Sequence, residues 1–165
     1  MKKLCLISIA IFLLCAAHAQ TKFTVPAPHL EQKYNVTRML MYNNILGLIT
    51  VAKRDGMAAE ELGKKTGEIA AWDENTGFDQ FVRFILFSQA CLSDSVQIVE
   101  QSSEKVLITV PHIYPRLENQ DVIYGSSLED LIAYLNAMMG EIASRLDLTC
   151  EMTWGGEGFK IEIAQ

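Results

Sequence analysis

The chain has 165 residues, half of them hydrophobic, and a formal net charge of −6 at pH 7. An acidic chain without a basic run is a poor candidate for binding nucleic acid or anionic lipid, because both need clustered cations. After the first 19 residues no apolar run approaches the roughly 20 residues of a membrane helix, so we expect no membrane span there.

Residues 1–19 have the pattern of a secretory signal peptide. Two lysines precede an apolar stretch over 4–16, and residues 17–19 form an A-x-A cleavage site. A lipoprotein acylated at Cys15 is disfavoured, because leucines stand before that cysteine where a small residue is needed. We expect a secreted or periplasmic soluble protein that starts at Gln20, and losing two lysines changes its charge from −6 to −8.

Residues 20–29 contain two prolines and no periodic pattern, which predicts an extended lead-in to a single domain over 30–165. The first helix is predicted from Leu30 to Arg54, where Asp55-Gly56 ends it. Its predicted apolar face is wide and consists of Val36, Met39, Leu40, Ile45, Leu46, Leu48, Ile49 and Ala52.

The second helix is predicted from Ala58 to Trp72 and contains Gly63 and Gly67. Two glycines at this spacing lie on nearly one helix face, where another backbone could approach closely. The alternative is an exposed helix of poor propensity, because an internal glycine costs up to about 1 kcal/mol relative to alanine. The sequence leaves both interpretations open.

A third helix is predicted from Phe78 to Cys91, with Phe84 and Phe87 widening its apolar stripe so that it is buried nearly all round. A hairpin follows, with strands at Val96–Glu100 and Lys105–Val110.

A long helix is predicted from Ser127 to Asp147, because its apolar residues recur every three or four positions. Ser126 and Glu129 have the spacing of a capping box at its start. The last hairpin pairs Leu148–Trp154 with the alternating stretch after Gly158.

The order ααα-ββ-α-ββ predicts an α+β domain. Hairpins pair antiparallel, and the economical arrangement is one four-stranded antiparallel sheet with the helical N-terminal half packed on it in two layers. Neither layer can bury its apolar surface without the other.

A resemblance to known proteins rests on two parts of the chain. One is the stretch Asp55–Gly67 with the phenylalanine-rich helix after it, and the other is the late helix followed by Cys150 and a glycine-containing hairpin. In this order of elements the chain resembles the group that includes the vinyl-reductase-type ligand domain and the L-2-amino-thiazoline-4-carboxylic acid hydrolase family. The resemblance implies a domain that cups a small, mostly apolar ligand between helices and sheet, or that dimerises. Vinyl-reductase-type members carry further cysteines in the last hairpin, and Cys150 stands alone here, so no metal or thiol chemistry is carried over.

Two cysteines remain after the signal peptide, Cys91 and Cys150. In an oxidising compartment they could form a disulfide, and the alternative is a pair of buried free thiols. Cys150 shares a strand face with Leu148 and Met152, so we expect it to point into the core.

The loop over 111–125 holds the candidate binding residues His112, Tyr114 and Arg116. A histidine titrates near neutral pH, and an arginine can hold an anion in bidentate fashion. Trp154, at a strand end, is a further candidate for ligand or partner binding. The alternative for each is a surface histidine or an aromatic residue packed at the sheet edge.

Four methionines, Met39, Met41, Met138 and Met139, stand at helical spacing, which is typical of core filling or of an adaptable apolar pocket. No established catalytic or metal-binding motif is present, so we expect no metal or other cofactor. We expect any site beside the long late helix and not on its apolar stripe.

Three functions remain open. The first is a non-enzymatic domain that binds a small apolar or anionic molecule, or a protein partner, in a cleft between helices and sheet. The second is a small hydrolase of the thiazoline-carboxylate type, and the third is a structural module that forms a homodimer through its helical half.

Overall fold

A computed structural model describes residues 29–93, 95–111, 122–155 and 158–165. The chain divides into two compact units, Met1–Lys33 and Tyr34–Gln165. The described part of the first unit holds the start of a helix, where Gln32 Oε1 accepts a hydrogen bond from the His29 backbone N–H at 3.0 Å.

The described residues form four helices and four strands in the predicted order. They are α1 (Leu30–Arg54), α2 (Ala59–Ile69), α3 (Phe78–Leu92), β1 (Gln97–Gln101), β2 (Lys105–Val110), α4 (Leu128–Ser144), β3 (Thr149–Gly155) and β4 (Gly158–Ala164). The predicted α+β class and antiparallel sheet are confirmed. Among these helices, none combines the length and apolarity needed to cross a membrane.

The four strands form one antiparallel sheet in the order β1-β2-β4-β3. The central pair β2–β4 joins the two hairpins and sets Ile108 opposite Ile161, both fully buried. All five β1 residues are exposed, and the register shifts between Ile98 and Glu100, as expected for a bulged edge strand.

One face of the sheet packs against the helices to form the main core. Residues alternate between buried and exposed along β3 and β4, and Cys150 points into the core as predicted. The strand residues of this core are Val106, Ile108, Val110, Cys150, Met152, Phe159, Ile161 and Ile163, and helix residues such as Leu46, Phe81, Ile85, Leu131 and Ile142 cover them.

Helix α1 has the predicted bounds but a narrower buried face. Its buried residues are Tyr42, Leu46, Ile49 and Ala52, so only the second half of the helix reaches the core. Leu40 and Leu48 are 53% and 58% exposed. The prediction that a wide apolar face of α1 is buried is therefore wrong, because one neighbouring layer covers only a single stripe of a helix.

Helix α2 packs on α4 through its two glycines, so the close-approach interpretation is the correct one. A Cβ atom on Gly63 would overlap the carbonyl oxygen of Tyr134, and one on Gly67 would lie 2.7 Å from that of Met138. The helix ends at Ile69, three residues before the predicted Trp72.

Arg145 lies beside the end of α2. Its Nη1 donates to the carbonyl oxygens of Gly67, Glu68 and Ala70 at 3.0, 3.1 and 3.0 Å. The guanidinium thus binds carbonyls at the C-terminal end of α2, where a cation is favourable; the Gly67 carbonyl also accepts from the Ala70 N–H at 3.2 Å.

Helix α3 is not buried all round as predicted. Phe78, Phe81, Val82 and Ile85 face the core, but Phe84 and Phe87 lie on another side and are 44% and 71% exposed. The apolar periodicity thus identified the helix but overestimated how much of it is covered.

The capping box of α4 lies one residue later than predicted. Ser127 is the N-cap: its side chain accepts from the Asp130 N–H, and the Asp130 carboxylate accepts from the Ser127 N–H. Ser126 is fully buried, and its Oγ is hydrogen-bonded to the Leu46 carbonyl and lies 2.9 Å from Thr50 Oγ1. A tertiary contact with α1 therefore occupies the serine that sequence spacing had assigned to the cap.

Candidate functional site

The predicted loop residues His112, Tyr114 and Arg116 lie outside the described residues. Trp154 lies near the end of β3, where it is 39% exposed and its ring makes an edge contact with Phe159 at 5.6 Å. Its role in binding remains a prediction.

Cys91 and Cys150 are both free thiols, Cys91 exposed and Cys150 buried. The structure therefore does not support the predicted disulfide between them. Burial raises the pKa of the Cys150 thiol to about 12. The thiol is therefore protonated at neutral pH, which disfavours a nucleophilic role because the thiolate is the reactive form.

A cavity of about 440 Å³ opens between the helices and the sheet. Its walls come from α1, α3, α4 and β3, and from Trp72 after α2. The lining residues are Met41, Tyr42, Ile45, Trp72, Phe84, Ile85, Phe87, Ser88, Gln89, Cys91, Leu92, Leu135, Met138, Met139, Ile142 and Met152. Ligand pockets of proteins typically have volumes of roughly 300–1,000 Å³.

Four methionines from three different elements meet in this cavity. Met41 comes from α1, Met138 and Met139 from α4, and Met152 from β3. The unbranched thioether side chain adopts many conformations at low cost, which suits a wall that adjusts to its contents. The cavity lies against the apolar stripe of α4, whereas we expected a site beside that stripe.

Two aromatic rings shape one wall. The ring of Trp72 lies 4.6 Å from that of Phe84 in an edge-on arrangement, and 5.5 Å from that of Phe81. Phe81 is buried in the core, so it anchors Trp72, and Trp72 in turn supports the half-exposed Phe84.

Gln89 is the buried polar residue in this lining. Gln89 is 8% exposed, and its Oε1 has no hydrogen-bond partner among the residues that the structure describes. Its backbone carbonyl accepts from the N–H and Oγ of Ser93 at 2.9 and 2.7 Å. These bonds fix the end of α3 and do not involve the side-chain oxygen.

The spacing of residues along α3 already indicates that Gln89 is buried. Phe78, Val82, Ile85 and Gln89 are spaced by four, three and four residues on the buried stripe of α3. A glutamine in that register is a polar group at a core position, which normally requires a partner.

None of the described residues that line the cavity carries a formal charge. Across the described ranges, no group of three or more His, Cys, Asp or Glu residues could hold a metal ion. The cavity thus offers apolar surface, the Gln89 amide, weak sulfur contacts and the hydroxyls of Ser88 and Tyr42, which donate to the carbonyls of Phe84 and Leu92.

A second depression lies between the start of α3 and the β1–β2 turn. Its volume is about 990 Å³, and its lining includes Gly77, Arg83, Ser102 and Gln165. It is wider and more polar than the methionine-lined cavity, so it surrounds a small molecule less completely.

No protein-family model matches the chain, and the searches of curated proteins and of solved structures also found no match. The resemblance to the vinyl-reductase-type and thiazoline-carboxylate hydrolase group therefore remains a prediction.

Proposed function

We propose that the protein binds a small, mostly apolar molecule in the methionine-lined cavity, without catalysing a reaction on it. The observation that carries this proposal is the cavity of about 440 Å³ between helices and sheet, with a lining that is almost entirely aliphatic, aromatic and thioether. Concave apolar sites of this size with a few polar groups are the usual form of small-molecule sites.

The open aromatic wall supports the proposal. Phe84 and Phe87 remain 44% and 71% exposed although both line the cavity. An apolar ligand would remove part of this surface from water, which is favourable by roughly 25 cal/mol per Å².

The chemistry of the described lining favours binding over hydrolysis. It includes no carboxylate or imidazole that could serve as a general base. The signal-peptide pattern of residues 1–19 places the binding outside the cytoplasm in our proposal, where such a domain would carry or sequester its ligand.

Calorimetric titration with a series of methyl alkyl ethers tests the proposed binding. We expect affinity to rise about fourfold for each added methylene from the pentyl to the nonyl ether, because burying each one contributes about 0.8 kcal/mol.

Two variants on α3 locate the site. Ser88 is partly exposed and lines the cavity, so Ser88→Trp places an indole in its opening and should weaken ether binding at least about tenfold. Ala90 is exposed and is not among the described lining residues, so Ala90→Trp serves as the matched control and should bind as the native protein does. Equal binding by both variants would place the ethers elsewhere.

A further inference from the structure

We infer that the natural ligand is a neutral amphiphile: an apolar chain or ring system with one hydrogen-bond donor, a hydroxyl or amide N–H, that the Gln89 Oε1 accepts. This inference rests on the proposed function and adds the chemical class of the ligand.

The unpartnered amide oxygen is the first argument. A buried carbonyl oxygen without a partner loses its hydration and receives nothing in return. Gln89 lines the cavity, and the terminal torsion of a glutamine is soft, so its amide can turn to meet a ligand. A ligand hydroxyl then supplies the missing hydrogen bond, and the protein gains binding energy from a group that is unsatisfied without it.

The position of Gln89 is the second argument. It follows Ile85 on the buried stripe of α3 by one helical turn, and the apolar Ile142 and Met152 line the same cavity. An apolar residue at 89 would fill this register with no unsatisfied atom, so packing alone does not account for an amide there.

The lack of formal charge in the described lining is the third argument. An ionised ligand would lose its hydration in the cavity and find no counter-charge among these side chains. The uncharged lining therefore favours a ligand with a neutral hydrogen-bond donor over one with a carboxylate or an ammonium group. The sequence had left an apolar and an anionic ligand open, and we infer an uncharged one.

Three probes of one chain length test the ligand class in the purified protein. They are 1-decanol, which donates a hydrogen bond; its isomer methyl nonyl ether, which only accepts; and decanoate, which is charged at pH 7. We expect decanol to bind about tenfold more tightly than the ether, as one satisfied hydrogen bond predicts, and decanoate to bind more weakly than either.

The variant Gln89→Leu tests whether Gln89 is the source of the preference for decanol over the ether. It removes the amide at similar size, so the ratio of decanol affinity to ether affinity should fall from about tenfold to about twofold or less, whatever happens to the affinity for the ether itself. Thermal unfolding of the variant should occur at or above the native temperature, because an unsatisfied buried atom has been removed.

The outcomes separate the two proposals. If the ether binds the native protein as tightly as decanol does, or if Gln89→Leu keeps the full preference, the donor class is wrong while apolar binding stands. If none of the three probes binds, the proposed function itself fails. Tightest binding by decanoate would overturn the neutral class.

Discussion

Asp130 carries several interactions where α4 begins. Its Oδ2 accepts from Lys53 Nζ at 2.6 Å, from the Ser127 N–H at 2.9 Å and from Ser127 Oγ at 3.3 Å. One carboxylate therefore caps α4 and connects it to α1 by an ion pair.

Burial by itself raises the pKa of Asp130, but the hydrogen bonds from Lys53 and Ser127 outweigh it and hold the pKa below its ordinary value of 3.8. A depressed pKa means that the folded state favours the ionised carboxylate. Its contribution to stability is therefore present above pH 3.8 and is lost as the pH falls below that value.

We expect Asp130→Asn to lower the free energy of unfolding at pH 7 by about 1–2 kcal/mol, through loss of the charged cap and ion pair. The variant should also lose less stability than the native protein between pH 5 and pH 2, measured by urea denaturation. Asp55→Asn, at an exposed position just after α1, is the control and should leave the free energy of unfolding at pH 7 close to the native value. If Asp130→Asn loses as much stability as the native protein between pH 5 and pH 2, the Asp130 carboxylate does not have the stabilising role given to it here.

At the scale of elements, the contact between α2 and α4 depends on glycine. The atoms that a Cβ on Gly63 would meet belong to the Tyr134 backbone, which cannot turn aside as a side chain does. A Cβ on Gly67 would meet the Met138 carbonyl oxygen and the Glu141 side chain, so the two helices approach at two successive turns.

We expect Gly63→Ala to destabilise the protein by about 1–3 kcal/mol, because the added methyl group forces the two helices apart. Gly47→Ala is the matched control, since a Cβ there meets nothing within 4 Å, and it should stabilise by up to about 1 kcal/mol through helix propensity. Urea midpoints of the two variants on opposite sides of the native value would establish close packing. Similar midpoints would argue for the exposed-helix interpretation.

On the scale of the whole molecule, the core is unevenly distributed along α1. Between Tyr34 and Met41 no residue is buried, whereas from Tyr42 onward the helix packs into the core and forms hydrogen bonds to the turn at 123–126. The first half still has tertiary contacts, because Tyr34 Oη donates to the carbonyl oxygens of Ala90 and Ser93 at 3.3 Å. A helix segment without buried residues nevertheless has little stability of its own.

Amide hydrogen exchange should therefore be at least about tenfold faster in residues 34–41 than in 42–54, measured by mass spectrometry of overlapping peptides. The exposed Val36 and Leu40 lie in the first half of α1, which has no buried residue among those described. Equal protection of both halves would mean that a second copy covers this surface, as the predicted homodimer through the helical half requires, and light scattering would then show the doubled mass.

Element type and order followed from the sequence because hydrophobic periodicity is a local property. Helix α1 and strand β2 have the predicted bounds, and Cys150 faces the core because its strand alternates. Four methionines were predicted to fill the core or line a pocket: Met41, Met138 and Met139 line the cavity, whereas Met39 is 38% exposed and is not among its lining residues.

The burial of individual side chains and their hydrogen-bond partners could be known only from the tertiary structure, since both depend on residues far apart in the chain. Periodicity cannot show which side of α3 is covered, so Phe84 and Phe87 were assigned to the core. Spacing alone cannot distinguish Ser126 from Ser127 as the cap, because the deciding partners of Ser126 lie on α1.

The sequence by itself thus determined the α+β order, the antiparallel hairpins and the pattern of a signal peptide, all of which depend on neighbouring residues. Only the tertiary structure decided that Gly63 is a contact point and that four methionines meet in one cavity. It also decided that the Gln89 Oε1 has no hydrogen-bond partner within the described part of the chain. These features arise where α2, α3 and α4 meet other elements, and a linear pattern does not specify which surfaces come together.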